Sequence, residues 1–320
     1  MIKKIFCTLG PASLNEKFLK FSNKKIDLLR INMSHINISQ LQKTIFKIRK
    51  YSKVPICIDT EGAQIRTKVS KAKRFKNGDY FTISKLKGDI KLYPDSVFGK
   101  LNNLDILSFG FEGLRGQILN KNKNKAKVRC INPGYLETNK GVHVHNRKLK
   151  INFLTKKDFL AIEIGKKNNV VNYALSFTNS VEDIIKFDKI LPTQKKIFKV
   201  ETKEALKNFR TMIKKGNFFL LDRGDMSKDL NIEEIPIAQR FLFKNKGKNT
   251  KIAIATNFLE SMIENPFPTR AEANDIYSSL EMGANALVLA AETAIGKHPK
   301  ECVDFLLRII NRFEKQKYIK

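Results

Sequence analysis

No apolar run in the 320 residues approaches the roughly 20 positions that a membrane-crossing helix needs. The amino end, Met1 to Gly10, runs directly into a strand pattern rather than a secretory signal. Both absences lead to the expectation of a cytoplasmic protein. The four cysteines, Cys7, Cys57, Cys130 and Cys302, are far apart, which excludes a dense disulfide framework and any paired metal-ligand spacing. Two of them lie inside apolar strand runs, the setting of a buried structural thiol. Acidic residues are few, 31 against 61 basic ones for a net charge of +30, and arginine supplies only 13 of the basic residues. Such a balance raises nucleic acid or an anionic membrane as partner. The lysines are instead spread along the whole chain beside abundant Asn and Ile, with no interleaved aromatic module, which reads as compositional drift. Neither nucleic acid nor a membrane is expected as partner, although a positive field still attracts anionic metabolites. There is no low-complexity linker.

What is present is an alternation. Short β-branched or aromatic runs predict strands over Lys4–Leu9, Asp27–Asn32, Pro55–Asp59, Asn172–Phe177, Lys196–Val200, Phe218–Asp222, Lys251–Thr256 and Ala286–Ala290. Amphipathic stretches between them predict helices over Leu14–Phe21, Ile38–Tyr51, Lys157–Lys167, Val181–Phe187, Thr202–Lys214, Ile235–Phe243, Arg270–Met282 and Pro299–Glu314. Eight such units point to a (β/α)8 TIM barrel, α/β in class. Between Thr67 and about Asn152 the rhythm changes to short alternating pieces separated by Gly, Asn and Asp turns, such as Asp79–Ser84, Asp105–Phe109, Gly116–Leu119, Lys127–Ile131 and Gly141–Val144. This reads as a small all-β domain inserted after the third strand. Residues 1–67 and 152–320 are then the barrel, and 68–151 the insert.

In such barrels function collects at the carboxyl ends of the strands. Those ends carry Arg30, Asn32, Ser34, His35, Asp59, Thr60, Glu61, Ser176, Lys199, Glu201, Asp225 and Thr256. Glu201 and Asp225, just past consecutive strands, offer two hard oxygen ligands and leave positions for water and substrate, as Mg2+ prefers. Each alone reads equally as a surface carboxylate. Lys199, at the end of a strand that should be buried, is a compact charge suited to a transferring phosphoryl group. Gly224, before a loop with backbone N–H groups to offer, permits close approach of an anion. Arg30 and Arg66 suit phosphate or carboxylate, or a structural ion pair. His143 and His145, two apart, share one strand face, as a metal pair or as a solvated edge.

Read in order, these residues resemble the pyruvate kinase family. The resemblance rests on Cys7-Thr-Leu-Gly-Pro-Ala-Ser13, Arg30-Ile-Asn-Met-Ser-His35, Asp59-Thr-Glu-Gly-Ala-Gln-Ile-Arg-Thr67, Lys199-Val-Glu201, Arg223-Gly-Asp225, Ala255-Thr-Asn-Phe-Leu-Glu-Ser-Met262, Pro268-Thr-Arg-Ala-Glu272 and Glu292-Thr-Ala-Ile-Gly296. It runs from residue 2 to about residue 314 and implies transfer of a phosphoryl group from phosphoenolpyruvate to ADP, giving pyruvate and ATP in glycolysis. Glu201 and Asp225 are implied ligands of Mg2+. Lys199 would steady the phosphoryl group and the enolate it leaves, Arg30 would hold the phosphoryl group, and Arg66 would act from the lid hinge. Gly224, Asp225, Ser176 and Thr256 would receive the substrate, Thr256 near the carbon that becomes protonated. Asn32, Ser34, Asp59 and Thr60 match the K+ ligands, and His35 and Lys157 lie near the nucleotide. The family's C-terminal domain has no counterpart in this sequence, so effector control and a tetramer through that domain are not expected, although another oligomer is possible.

Departures accompany the match. Glu61, Ala63 and Gln64 replace the family's lysine, proline and glutamate, and Gln64 puts K+ dependence in question. Asp222 replaces a small residue and adds a negative charge that Arg223 or a lysine would have to neutralise. Asn257, Ala290-Ala291 and His143 also differ. Two alternatives follow: a metal-dependent lyase or aldolase-like enzyme on a pyruvate-related compound, and a non-catalytic pyruvate kinase-like protein.

Overall fold

The computed structural model describes residues 3–110, 113–145, 147, 149 and 151–315. The outermost positions of the expected barrel, 1–2 and 316–320, lie outside the described residues. Eight parallel strands close a barrel: β1 Lys4–Thr8, β2 Leu28–Asn32, β3 Ile56–Asp59, β4 Asn172–Leu175, β5 Lys195–Val200, β6 Phe218–Asp222, β7 Lys251–Ala255 and β8 Ala286–Leu289. Each pairs with the next in sequence, and β1 with β8. Around them run the helices α1 Glu16–Ser22, α2 Ile38–Tyr51, α3 Lys156–Lys167, α4 Val181–Ile190, α5 Lys203–Met212, α6 Arg223–Met226, α7 Ile235–Asn245, α8 Arg270–Glu281, α9 Ala291–Ala294 and α10 Pro299–Lys315. The one-turn helices α6 and α9 were not legible as separate elements, since four residues are too few to show a helical period.

Local chemistry sets the boundaries. Asn15 caps α1 in place of the expected start at Leu14, accepting from the Phe18 N–H. Capping boxes open α4 (Ser180 and Asp183) and α8 (Thr269 and Glu272). Helix α10 turns Cys302, Val303, Leu306 and Ile310 inward, one stripe of a 3.6-residue period.

Side chains alternate along each strand, and this alternation builds the site. Phe6, Leu28, Cys57, Ala174, Ile197, Leu220, Ala253 and Ala286 form the barrel's inner apolar cluster. Two residues further on, toward the carboxyl ends, the same face presents Arg30, Asp59, Ser176, Lys199 and Asp222, all buried. The barrel interior therefore passes from apolar to ionised within one strand repeat.

The chain divides into two compact units, one comprising residues up to Gly62 and from Lys156 onward, the other Ala63–Thr155. The second unit follows β3 in sequence. Its seven-stranded sheet runs in the order Tyr80–Ser84, Lys125–Asn132, Arg115–Lys121, Ile106–Phe109, Gly141–Val144, Ile65–Val69, Ile90–Tyr93, beside a ribbon of Lys73–Phe75 and Gly134–Leu136. Every ladder in this sheet is antiparallel, and its two end strands, Tyr80–Ser84 and Ile90–Tyr93, lie against each other without a ladder among the described residues. Ile65–Val69, which a division at Thr67 splits, belongs whole to this unit because it pairs with Gly141–Val144 and Ile90–Tyr93.

All four cysteines are buried and unpaired. Burial pushes the Cys7 thiol well above its usual value, with Glu292 adding to it, and pushes Cys302 up to about 12. A thiol held protonated in the folded state and ionised in the unfolded state favours unfolding as pH rises. For Cys302 the contribution is intact below about pH 9 and is lost through about pH 12, at about 1.4 kcal/mol per pH unit. Urea unfolding midpoints measured from pH 8 to pH 10.5 are expected to fall, and Cys302→Ala is expected to flatten the slope. An unchanged slope rejects the assignment.

Candidate active site

The centre of the barrel rim is Lys199. Its Nζ lies 2.8 Å from Glu201 Oε1, 3.3 Å from Asp222 Oδ2, 3.5 Å from Asp59 Oδ2 and 3.3 Å from Ser176 Oγ. Burial works against this ammonium, but Asp59, Glu201 and Asp222 outweigh it and hold its pKa above the ordinary lysine value. Arg30 is equally buried. Its Nε and Nη2 bind Asp59 Oδ2 at 3.0 and 2.7 Å, while Nη1 has no hydrogen-bond partner. A buried, unsatisfied guanidinium N–H is costly. Ser176 Oγ completes the layer by donating to Asp59 Oδ1 at 3.2 Å.

Glu201 is fully buried. Its Oε2 accepts the N–H of Phe177, and its Oε1, although beside Lys199, finds no hydrogen-bonding geometry. Burial raises its pKa, Asp225 and Asp222 add to the rise, and Lys199 opposes it. Oxygens of Glu201, Asp222 and Asp225 all lie within 4.8 Å of one another, the one such ligand group found among the described residues. This group of three carboxylates offers the hard oxygen ligands that a divalent cation such as Mg2+ takes. Asp225 also pairs with Lys228 on the next turn.

One element of this rim was misread in the sequence. The N–H groups of the Arg223 turn are not free: Gly224 N donates to Thr256 Oγ1 at 2.7 Å and Asp225 N to Asp222 Oδ1 at 3.4 Å. Asp222 acts there as the cap of α6. Of the two counter-ions expected for Asp222, Arg223 or a lysine, the lysine is found: Lys199 Nζ lies 3.3 Å away. Arg223 reaches away, to both oxygens of Asp275 at 2.9 and 2.7 Å and to the Thr256 carbonyl at 3.1 Å through Nε, with Phe258 4.5 Å beneath it. It thereby holds Thr256 at φ 73°, a left-handed conformation that is an outlier for a β-branched residue.

The remaining expected positions fall in the barrel unit, at or past its strand ends or, for Lys157, on α3, except Arg66, His143 and His145. Asn32 and Asp59 are register partners across β2 and β3, Asn32 Oδ1 accepts the Ser34 N–H at 3.0 Å, and Thr60 Oγ1 accepts the Ser176 N–H at 3.1 Å. Lys157 binds the Met33 carbonyl, two residues from the exposed His35, and pairs with Glu61 at 2.9 Å. Arg66 lies in the β unit, where Nη1 donates to the Asn139 carbonyl at 3.2 Å. His143 and His145 lie on and just after Gly141–Val144, in the same unit.

Sequence reasoning missed Asp158. Fully buried on α3, it accepts the N–H groups of Glu61 and Gly62 at 2.7 and 3.1 Å and so fixes the turn after β3. Gly62 has φ +66°, and a Cβ there would lie 2.3 Å from the Ser176 carbonyl oxygen, so the turn requires glycine. The only signal for Asp158 was an acidic residue in the first turn of a predicted helix. Glu272 proved to be a joint: it closes the α8 capping box and also takes the Ser261 N–H and hydroxyl at 2.8 and 2.6 Å.

Comparison with known proteins agrees with this geometry. A sequence model of the pyruvate kinase barrel domain matches residues 2–303. The chain belongs to the pyruvate kinase family. The pyruvate kinase of Thermotoga maritima is 32% identical over 98% of this chain and 71% of its own length. That of Chlamydia muridarum is 30% identical over 98% and 69%, and that of Staphylococcus epidermidis 32% over 96% and 56%. The chain is an enzyme of this family, a glycolytic phosphotransferase of the pyruvate kinase type, and neither the lyase-like nor the non-catalytic alternative is favoured. The family uses phosphoenolpyruvate and ADP and in general depends on Mg2+ and K+. Among the described residues no helix is long and apolar enough to cross a membrane.

Proposed function

We propose that this chain takes phosphoenolpyruvate and ADP as its own substrates and transfers the phosphoryl group at the rim around Lys199. The observation that carries the reading is one buried ammonium within 3.5 Å of three carboxylates, next to a buried arginine with an N–H to spare. Glu201 and Asp225 would hold Mg2+, which when bound supplies charge neutralisation for the transferring group. Arg30 Nη1 would donate to a phosphoryl oxygen. Lys199, kept protonated by its carboxylate neighbours, would stabilise charge on the phosphoryl group and then on the enolate. Thr256 would sit beside the carbon that gains a proton. Receiving the substrate carboxylate at Gly224 and Asp225 requires their amides to exchange Thr256 and Asp222 for it.

Asn32, Ser34, Asp59 and Thr60 offer K+ an all-oxygen set. Asp59 is already engaged by Arg30, Lys199 and Ser176, so the other three would contribute most. The Arg66 role is proposed from the resemblance, as is a division of labour between a catalytic barrel and an inserted lid. The same reading puts the enzyme in the cytoplasm with no nucleic acid or membrane partner.

The test is ADP-dependent pyruvate formation with Mg2+, with and without K+. Folded protein that forms no pyruvate at high concentration refutes the proposal. A K+-independent rate removes only the monovalent-cation set. Lys157, proposed to meet ADP with His35, is held by Glu61, so ADP must displace an ion pair. Glu61→Gln is therefore expected to lower KM for ADP about three- to tenfold, the scale of a pair worth about 1 kcal/mol. An unchanged or higher KM argues against Lys157 as a nucleotide contact.

A further inference from the structure

Asp222 is the member of the carboxylate group that the proposed function leaves without a role in the reaction. It is buried at the end of β6, with Oδ2 3.3 Å from Lys199 Nζ. Its Oδ1 contacts, to Thr256 Oγ1 at 3.3 Å and Asp225 N at 3.4 Å, are both long for hydrogen bonds. Capping α6 needs only a neutral oxygen, which asparagine would supply as well. The charge itself needs another reason.

That reason is electrostatic. The buried Asp59, Glu201 and Asp222 face Arg30 and Lys199 in direct ion pairs. Two cations are shared among these three carboxylates, and without Asp222 the numbers would match. An uncompensated buried charge is expensive unless something of opposite sign occupies the space it faces. Glu201 Oε1 meets Lys199 Nζ at 2.8 Å as an ion pair and has no hydrogen-bond partner. Octahedral ligands about 2.0–2.1 Å from a Mg2+ ion lie about 2.9 Å apart when adjacent and about 4.2 Å apart when opposite. Three carboxylates with oxygens within 4.8 Å of one another need only small adjustment to share such an ion.

We propose that Asp222 is a third carboxylate of the divalent-cation centre, and that its charge gives the substrate-free protein an affinity for the cation before any phosphorylated substrate arrives. With the cation in place the excess becomes one positive charge, suited to an anionic substrate. The inference rests on the assignment of Glu201 and Asp225 as ligands, and the experiment separates the two.

Mn2+ binding is measured by electron paramagnetic resonance in the absence of substrate and nucleotide, on wild type, Asp222→Asn, Asp222→Ala and Glu201→Gln, with folding checked by circular dichroism. Asp222→Asn keeps the Oδ1 acceptor for Thr256 and the α6 cap. Asp222→Ala installs the kind of small residue that the family pattern carries there, so at least one of the two is expected to fold. The expected result is a Mn2+ Kd raised about tenfold in both Asp222 variants and at least as much in Glu201→Gln. A change of less than threefold in the Asp222 variants overturns the role of Asp222 and, if Glu201→Gln still abolishes binding, leaves the Glu201 and Asp225 assignment standing. A wild type that does not bind Mn2+ without substrate also overturns the inference. Unaltered binding in Glu201→Gln overturns both.

Discussion

Lys199→Met is expected to lower the rate of pyruvate formation by about 10²–10³-fold, the loss that follows removal of one preorganised charge donor from a buried site. The same change is expected to destabilise the fold. Lys199 is the shared counter-ion of Asp59, Glu201 and Asp222, and removing one partner of a buried ionic group costs about 3–5 kcal/mol because the remaining charges are stranded. The two effects part company with conditions. Stability should be partly recovered by Mn2+, which replaces the missing positive charge, whereas turnover should not. A coupled pyruvate assay and urea unfolding with and without Mn2+ provide the check. Full activity in Lys199→Met would remove Lys199 from the chemistry, and an unchanged unfolding midpoint would contradict its place at the centre of the ion network.

The second large effect is expected from a residue that need not touch substrate. Arg223→Ala releases the clamp on Thr256, a residue whose left-handed backbone stores about 1–3 kcal/mol of strain. Once Arg223 no longer ties the Thr256 carbonyl to Asp275, the backbone can relax toward an ordinary conformation and carry the hydroxyl away from the Gly224 amide. Misplacing a reacting contact by about 1 Å can cost about 10²-fold in rate. The loss is expected in kcat, with Mn2+ affinity unchanged because Glu201 and Asp225 keep their positions. Arg223→Lys should not rescue it, since one ammonium cannot reach Asp275 and the Thr256 carbonyl together as the separate guanidinium nitrogens do. A kcat within twofold of wild type in Arg223→Ala would show that the strained turn holds itself.

Much of this architecture is legible in the chain. The barrel strands are short, β-branched and buried on both faces, and their apolar runs end at the residues that close the site, so Lys199, Glu201 and Asp59 mark themselves by where the apolar pattern stops. The insert was legible as a change of period, but only in part. Lys73–Phe75, Ile90–Tyr93 and Gly134–Leu136 are three or four residues long, and the first is mostly charged; they are strands because neighbours supply their hydrogen bonds. Propensity cannot announce such a segment.

By itself, then, the sequence determined the family, the barrel and the set of groups at its carboxyl rim, because strand alternation and short motifs are local properties. Only tertiary structure decided the pairings. Arg223 turns to Asp275, 52 positions away, instead of its neighbour Asp222, and Asp158 reaches across 97 positions to fix the Glu61 turn. Lys199 collects carboxylates from three different strand ends, and that convergence is what makes Asp222 an excess charge. Charge partners are chosen by distance through space in a medium of low polarisability, and the order of residues along a chain does not contain that distance.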